Sequence, residues 1–171
     1  MAQAFKQSPI GLDKGSFVAL HGRVYEHSPW IAEAAWNAGL GKAQDSVEGL
    51  HRVLAEIVDA AARDKQLALL NAHPDLAGRL AMRGELTVES TSEQASAGLD
   101  KCTPDEFKRF TELNDAYKAK FAFPFIMAVK GKTRAEILHA FEQRIHNDPE
   151  IEFRTALNEV HKIALLRLRD L

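Results

Sequence analysis

The sequence predicts an all-α fold, a single-domain helical bundle without significant β-sheet. Three observations carry that prediction. Helix-start signals are frequent and clean. Behind them the apolar residues recur at helical spacing. No segment sustains period-two alternation bounded by turn dipeptides, so no strand is expected. A chain of 171 residues is the size of one ordinary domain, and no repeat, low-complexity tract or Gly/Ser/Pro-rich linker divides it. Residues 1–171 are therefore read as one domain.

The elements follow in chain order. Ser28-Pro29 sets a capping hydroxyl before a proline at the first helical position, where the missing N–H costs nothing. Val47, Leu50, Leu54, Ile57, Val58 and Ala61 form the first apolar stripe. Asn71-Ala72-His73-Pro74-Asp75 ends a helix, because Pro74 disfavours the α conformation at His73. Arg83 to Ser90 runs irregularly to a new start, at which Ser90 and Glu93 fit a capping box. Thr103-Pro104-Asp105-Glu106 is a further box, and Phe107, Phe110, Leu113 and Tyr117 lie behind it. Phe121 to Val129 is short, apolar and broken by Pro124. Thr133-Arg134-Ala135-Glu136 starts the stripe Ile137, Leu138, Phe141. Asp148-Pro149 starts the last, with Phe153, Ala156, Leu157, Val160, Ala164 and Leu168.

Composition narrows the function classes. A net charge of −2 excludes the broad basic surface of a nucleic-acid binder. No apolar run approaches the ~20 residues that span a bilayer, so no membrane association is expected. Met1 to Lys6 has no apolar signal-peptide core, and Arg169-Asp170-Leu171 is not a peroxisomal address. With one cysteine, Cys102, no intramolecular disulfide forms, and a reducing cytoplasm is the expected compartment. None of the seven histidines makes a His-Glu-x-x-His pair or another zinc spacing, so metal catalysis is not expected. His21, His51, His139 and His161 sit within helical patterns and receive no role.

Four segments could carry chemistry, each with a plainer alternative. His73 could exchange a proton near neutral pH from a backbone stiffened by Pro74, or merely cap a helix end. Ser90-Thr91-Ser92-Glu93-Gln94 could be a helix start alone. A helix N-terminus also seats a carboxylate or carbonyl-rich ring, and Gln94 can donate to and accept from a urea-like ligand. Phe121-Ala122-Phe123-Pro124-Phe125-Ile126-Met127-Ala128-Val129 reads as core, or as an apolar wall whose backbone amides, exposed by the Pro124 break, meet a substrate edge. Arg167, among apolar neighbours, either snorkels outward or turns inward to grip a carboxylate. Composition and periodicity leave all four undecided.

Taken together, these segments resemble the OHCU decarboxylase family, which acts on 2-oxo-4-hydroxy-4-carboxy-5-ureidoimidazoline. The matching stretches are Glu26 to Trp30, Asn71 to Gly78 and Leu86 to Leu99, then Leu113 to Tyr117, Phe123 to Ile126 and Ile163 to Leu168. They cover nearly the whole chain in the family's order. The most specific are His73-Pro74-Asp75-Leu76 and Glu89-Ser90-Thr91-Ser92-Glu93-Gln94. The resemblance implies an all-α, usually homodimeric enzyme that releases CO₂ and makes (S)-allantoin without a cofactor. It implies that His73 is catalytic, with Glu93 beside it. Pro74, Ser90, Thr91, Ser92, Gln94, Phe125, Ile126, Met127, Ala128, Val129 and Arg167 match the family's substrate-contacting positions. The family usually has Gly where this chain has Ala122.

Two other readings come from different classes. A helical binding module would keep His73 and Glu93 as capping groups and accelerate nothing. A hydrolase of a related ureide would need a metal-ligand set or a Ser-His-Asp arrangement, neither of which is evident.

Overall fold

A computed structural model describes residues 3–78 and 84–171. Eight α-helices lie among the described residues: α1 (Lys14–His21), α2 (Trp30–Ala38), α3 (Val47–Ala60), α4 (Arg63–Asn71), α5 (Val88–Ser96), α6 (Pro104–Phe121), α7 (Arg134–Arg144) and α8 (Pro149–Asp170). Extended pairing among those residues is confined to one isolated bridge, Ala4 with Ser46, as the absence of period-two patterning predicts. No described helix is long and apolar enough to cross a membrane.

The chain forms two compact units: Met1–Ala72 with Val160–Leu171, and His73–Glu159. In the first, Phe17 of α1, Ile31 and Ala35 of α2, the α3 stripe of Val47, Leu50, Leu54 and Val58, and Leu69 and Leu70 of α4 are buried. Val160, Ala164 and Leu168 of α8 are buried too. The α3 start is tight. Ser46 Oγ accepts from Gly49 N–H at 3.2 Å, and a Cβ on Gly49 would fall 1.7 Å from the Ala43 carbonyl oxygen. Only glycine fits there.

In the second unit Phe110, Leu113, Tyr117 and Phe121 of α6 are buried, as are Ile137 and Phe141 of α7 and Phe153, Ala156 and Leu157 of α8. Phe125 stacks on Phe141 with centroids 3.9 Å apart. The starts of α6 and α7 are capping boxes: Thr103 Oγ1 accepts from Glu106 N–H while Glu106 Oε2 accepts from Thr103 N–H, and Thr133 and Glu136 repeat the exchange. Asp148 Oδ1 accepts from Glu150 N–H at the start of α8.

Two predicted starts are corrected. Ser28 does not cap α2: the helix begins at Trp30, and the Ser28 hydroxyl donates instead to the Glu26 carbonyl at 2.9 Å. Ser90 does not start α5 either. Thr87 is its N-cap, accepting from Ser90 N–H at 3.2 Å, so Ser90 and Glu93 lie inside the helix. Thr87 takes the cap three residues earlier, which puts Glu89 in the first turn and leaves the Ser90 side chain buried within the helix.

Candidate active site

The histidine before the proline lies on a turn whose backbone is unusually well held. α4 stops at Asn71, and His73 follows, buried at 8% exposure. Leu76, Ala77 and Gly78 are buried as well, so their polar backbone groups need partners. The Gln94 side-chain amide supplies two contacts: its Oε1 accepts from Ala77 N–H at 2.9 Å, and its Nε2 donates to the Asp75 carbonyl at 3.2 Å. Asn114 Nδ2 donates to the Leu76 carbonyl at 3.0 Å. The Lys118 ammonium meets the Asp75 carboxylate at 2.6 Å, a partly exposed pair of small energetic weight. Ala77 has φ +49°, the left-handed region that L-residues occupy at a cost of roughly 1–2 kcal/mol. A Cβ on Gly78 would approach the Asp75 Cβ to 2.6 Å, which reserves that position for glycine.

α5 presents its predicted site residues on different faces. Ser90 and Gln94, one turn apart, are buried, Glu93 is half-buried, and Thr91 and Ser92 are exposed. The expectation that Ser90 opens the helix with free N–H groups gives way, since its own N–H bonds to Thr87. Gln94 is brought together with the His73 turn through backbone bonds to Asp75 and Ala77. Arg83, where the irregular run was expected to begin, lies outside the described residues.

The phenylalanine wall begins where α6 ends. Ala122 takes the left-handed C-terminal position, φ +65°, and residues 124–129 belong to no helix or strand. Phe123, Pro124, Phe125, Ile126 and Val129 are buried, and Met127 and Ala128 half-buried. Two backbone groups here are already engaged. The Ile126 carbonyl accepts from Arg144 Nη1 at 2.7 Å, and Ala128 N–H donates to Glu159 Oε2 at 2.9 Å. Arg144 also lies over the Phe125 ring, 4.3 Å from its centroid. Its partner Glu152 is fully buried and accepts from Arg144 Nε, the Tyr117 hydroxyl and Asn147 Nδ2. Such a carboxylate survives burial because charged and neutral donors surround it. Burial first, then the Glu152 carboxylate, pushes the Tyr117 hydroxyl pKa up.

Arg167 belongs to the first unit, and there it turns inward. It is buried at 7% exposure, with Nη1 2.8 Å from Glu26 Oε2. The same unit contains a chain of polar groups: Tyr25 Oη lies 2.9 Å from His161 Nδ1, whose Nε2 lies 3.1 Å from Asp59 Oδ1. Periodicity carried no signal for Glu26 or Asp59. Asn114 did carry one, because it stands on the buried stripe of Phe110, Leu113 and Tyr117, where a polar residue must have a partner. Among the described residues no group of three or more His, Cys, Asp or Glu side chains is placed to hold a metal ion.

An open groove of about 520 Å³ on the second unit, lined by Arg109, Leu113, Glu142, Ile145 and His146 among others, contains none of the predicted site residues. The chemistry-bearing groups lie elsewhere. An imidazole on a fixed turn, tied to the helix that carries a carboxylate, suits proton exchange.

A family model described as OHCU decarboxylase matches residues 11–169. A protein of Halalkalicoccus jeotgali named 2-oxo-4-hydroxy-4-carboxy-5-ureidoimidazoline decarboxylase is 48% identical over 159 residues, covering 93% of this chain and 86% of that one. A crystal structure of (S)-allantoin synthase superposes with a TM-score of 0.74 at 32% identity, covering 95% of this chain and 52% of that one. This chain thus spans about half the length of that protein. A crystal structure of OHCU decarboxylase in the presence of (S)-allantoin matches with a TM-score of 0.67 at 25% identity, over 93% and 97% of the two chains.

Proposed function

The chain belongs to the OHCU decarboxylase family and is a carboxy-lyase of urate breakdown; we propose that it yields (S)-allantoin with His73 as acid–base group and Glu93 as its partner. Residues 11–169, drawn from both units, would act as one decarboxylase domain. The reading extends to a homodimer working in the cytoplasm without a cofactor, for which sedimentation and fractionation are the checks.

The chemistry explains why side chains suffice. Decarboxylation leaves an electron pair behind, and this substrate has its own sink, because the carbon losing CO₂ adjoins a ring imine. As that C–C bond breaks, its pair forms a C=C bond and the imine pair ends on nitrogen, which takes a proton. The hydroxyl then loses its proton to become the carbonyl, the neighbouring carbon gains one, and the ring nitrogen keeps the one it took. In sum, substrate carboxylate and one proton give allantoin and CO₂. His73 would deliver the proton to one ring face, which sets the S configuration. Glu93 would fix its tautomer and raise its basicity. Arg167 would grip the carboxylate, and Ser90, Thr91 and Ser92, with Pro74 and the wall from Phe125 to Val129, would line the ring and ureido group.

The observation that supports this most is the buried His73 turn, tied by Gln94 to the helix bearing Glu93. The test feeds freshly generated substrate to the protein and follows CO₂ release and allantoin chirality. His73→Asn is expected to lower turnover by roughly 10²–10⁴-fold with the fold retained. Near-normal turnover in that variant removes His73 from the mechanism. A protein that accelerates neither CO₂ release nor (S)-allantoin formation is a binder instead.

A further inference from the structure

We propose that Gln94 and Asn114 are positioning residues, fixing the His73 imidazole against Glu93 by clamping the backbone of Asp75, Leu76 and Ala77. This rests on the reading of His73 as the acid–base group. Three consecutive residues after Pro74 each give one backbone group to a side chain of a helix: Asp75 and Ala77 to Gln94 on α5, Leu76 to Asn114 on α6. Ala77 sits at φ +49°, so without these bonds the turn has a cheaper conformation to relax into. Pro74 has a fixed φ and transmits the clamp to His73.

Gln94 was expected among the substrate contacts, yet both ends of its amide are engaged by the turn: the oxygen accepts and the nitrogen donates. It also follows Glu93 directly in sequence. The helical turn that carries the carboxylate therefore grips the segment that carries the imidazole, and the two cannot drift independently. Asn114 adds a second anchor from another helix. Its carboxamide oxygen is buried with no hydrogen-bond partner among the described residues, so the nitrogen makes the anchoring contact. Misplacement of a reacting group by about 1 Å costs roughly 10²-fold in rate, so loss of the clamp is read in turnover before binding.

The experiment compares Gln94→Met and Asn114→Ser with the unaltered protein and His73→Asn, measuring kcat and KM on fresh substrate. It also follows the His73 ring titration by NMR in ligand-free protein. Methionine fills the space of Gln94 without hydrogen bonding, and serine leaves room for a water at the Leu76 carbonyl. Both variants are expected to lose roughly 10–100-fold in kcat with KM within about twofold, and to shift the His73 titration. An increased KM at unchanged kcat, with the titration unmoved, makes Gln94 a substrate contact and overturns the proposal. Should Gln94→Met fail to fold, Asn114→Ser decides by the same split. If His73→Asn is inactive while both variants keep their kcat, the clamp alone is refuted. If His73→Asn keeps its turnover, the acid–base reading has failed, and the clamp with it.

Discussion

His21 on α1 is buried at 1% exposure, stacked on Phe17 with centroids 4.5 Å apart and met edge-on by Phe5. Its Nδ1 faces the Phe17 carbonyl at 3.1 Å, so that nitrogen carries the proton, and Nε2 is buried without a partner among the described residues. Burial pulls its pKa below the ordinary histidine value, outweighing the Phe17 hydrogen bond. The folded state thus holds the ring neutral where the unfolded chain, titrating near ~6.5, binds a proton. The stability this gives is complete above that pH and is lost as pH falls towards the depressed folded value. His21→Phe is expected to remove the loss. Its urea stability relative to the unaltered protein should rise between about pH 7.5 and 5.5, by up to about 1.4 kcal/mol per pH unit. A pH-independent difference refutes this. Arg167 shows the limit of reading single residues from sequence. Its apolar neighbours allow inward or outward placement, and Glu26, the partner that decides it, is distant in sequence and follows no period.

At the scale of elements, the starts with a full local code were legible: Thr103 with Glu106, Thr133 with Glu136, and Asp148 before Pro149. At α5 local code misled: Ser90 with Glu93 fits a capping box by spacing, yet Thr87 takes the cap and Ser90 lies buried inside the helix. The end of α6 was not legible from local code, because the apolar run from Phe121 to Val129 carries no cap template. Ala122 occupies the left-handed C-terminal position at φ +65°, with its N–H bonded to the Lys118 carbonyl at 2.9 Å. Glycine takes that conformation freely and alanine pays for it. Ala122→Gly is therefore expected to stabilise the chain by about 1 kcal/mol, offset in part by the greater freedom of glycine when unfolded. Thermal unfolding at fixed pH checks the sign. A destabilised variant would mean that the alanine methyl contributes packing that outweighs the strain.

At the scale of the molecule, the two compact units carry no mark in the sequence, for a physical reason. One boundary falls between Ala72 and His73, just past the end of α4, and the other lies inside continuous helix α8, between Glu159 and Val160. No linker marks either, because a helix crossing a boundary needs no change of composition. The family match runs through both units, residues 11–169, so binding is measured on the whole chain. A ligand that binds only the folded state stabilises it by mass action, about 2.7 kcal/mol at one hundred times its Kd. For a chain of this size that is a rise in Tm of roughly 5–11 °C. (S)-Allantoin titrated into the full-length protein is expected to raise Tm progressively, while imidazole at equal concentration does not. His73→Asn should keep most of that shift, since the reading gives His73 a proton to move rather than the ligand to hold. A Tm unmoved by (S)-allantoin up to its solubility would separate the chain from its proposed product, whatever the decarboxylation assay reports.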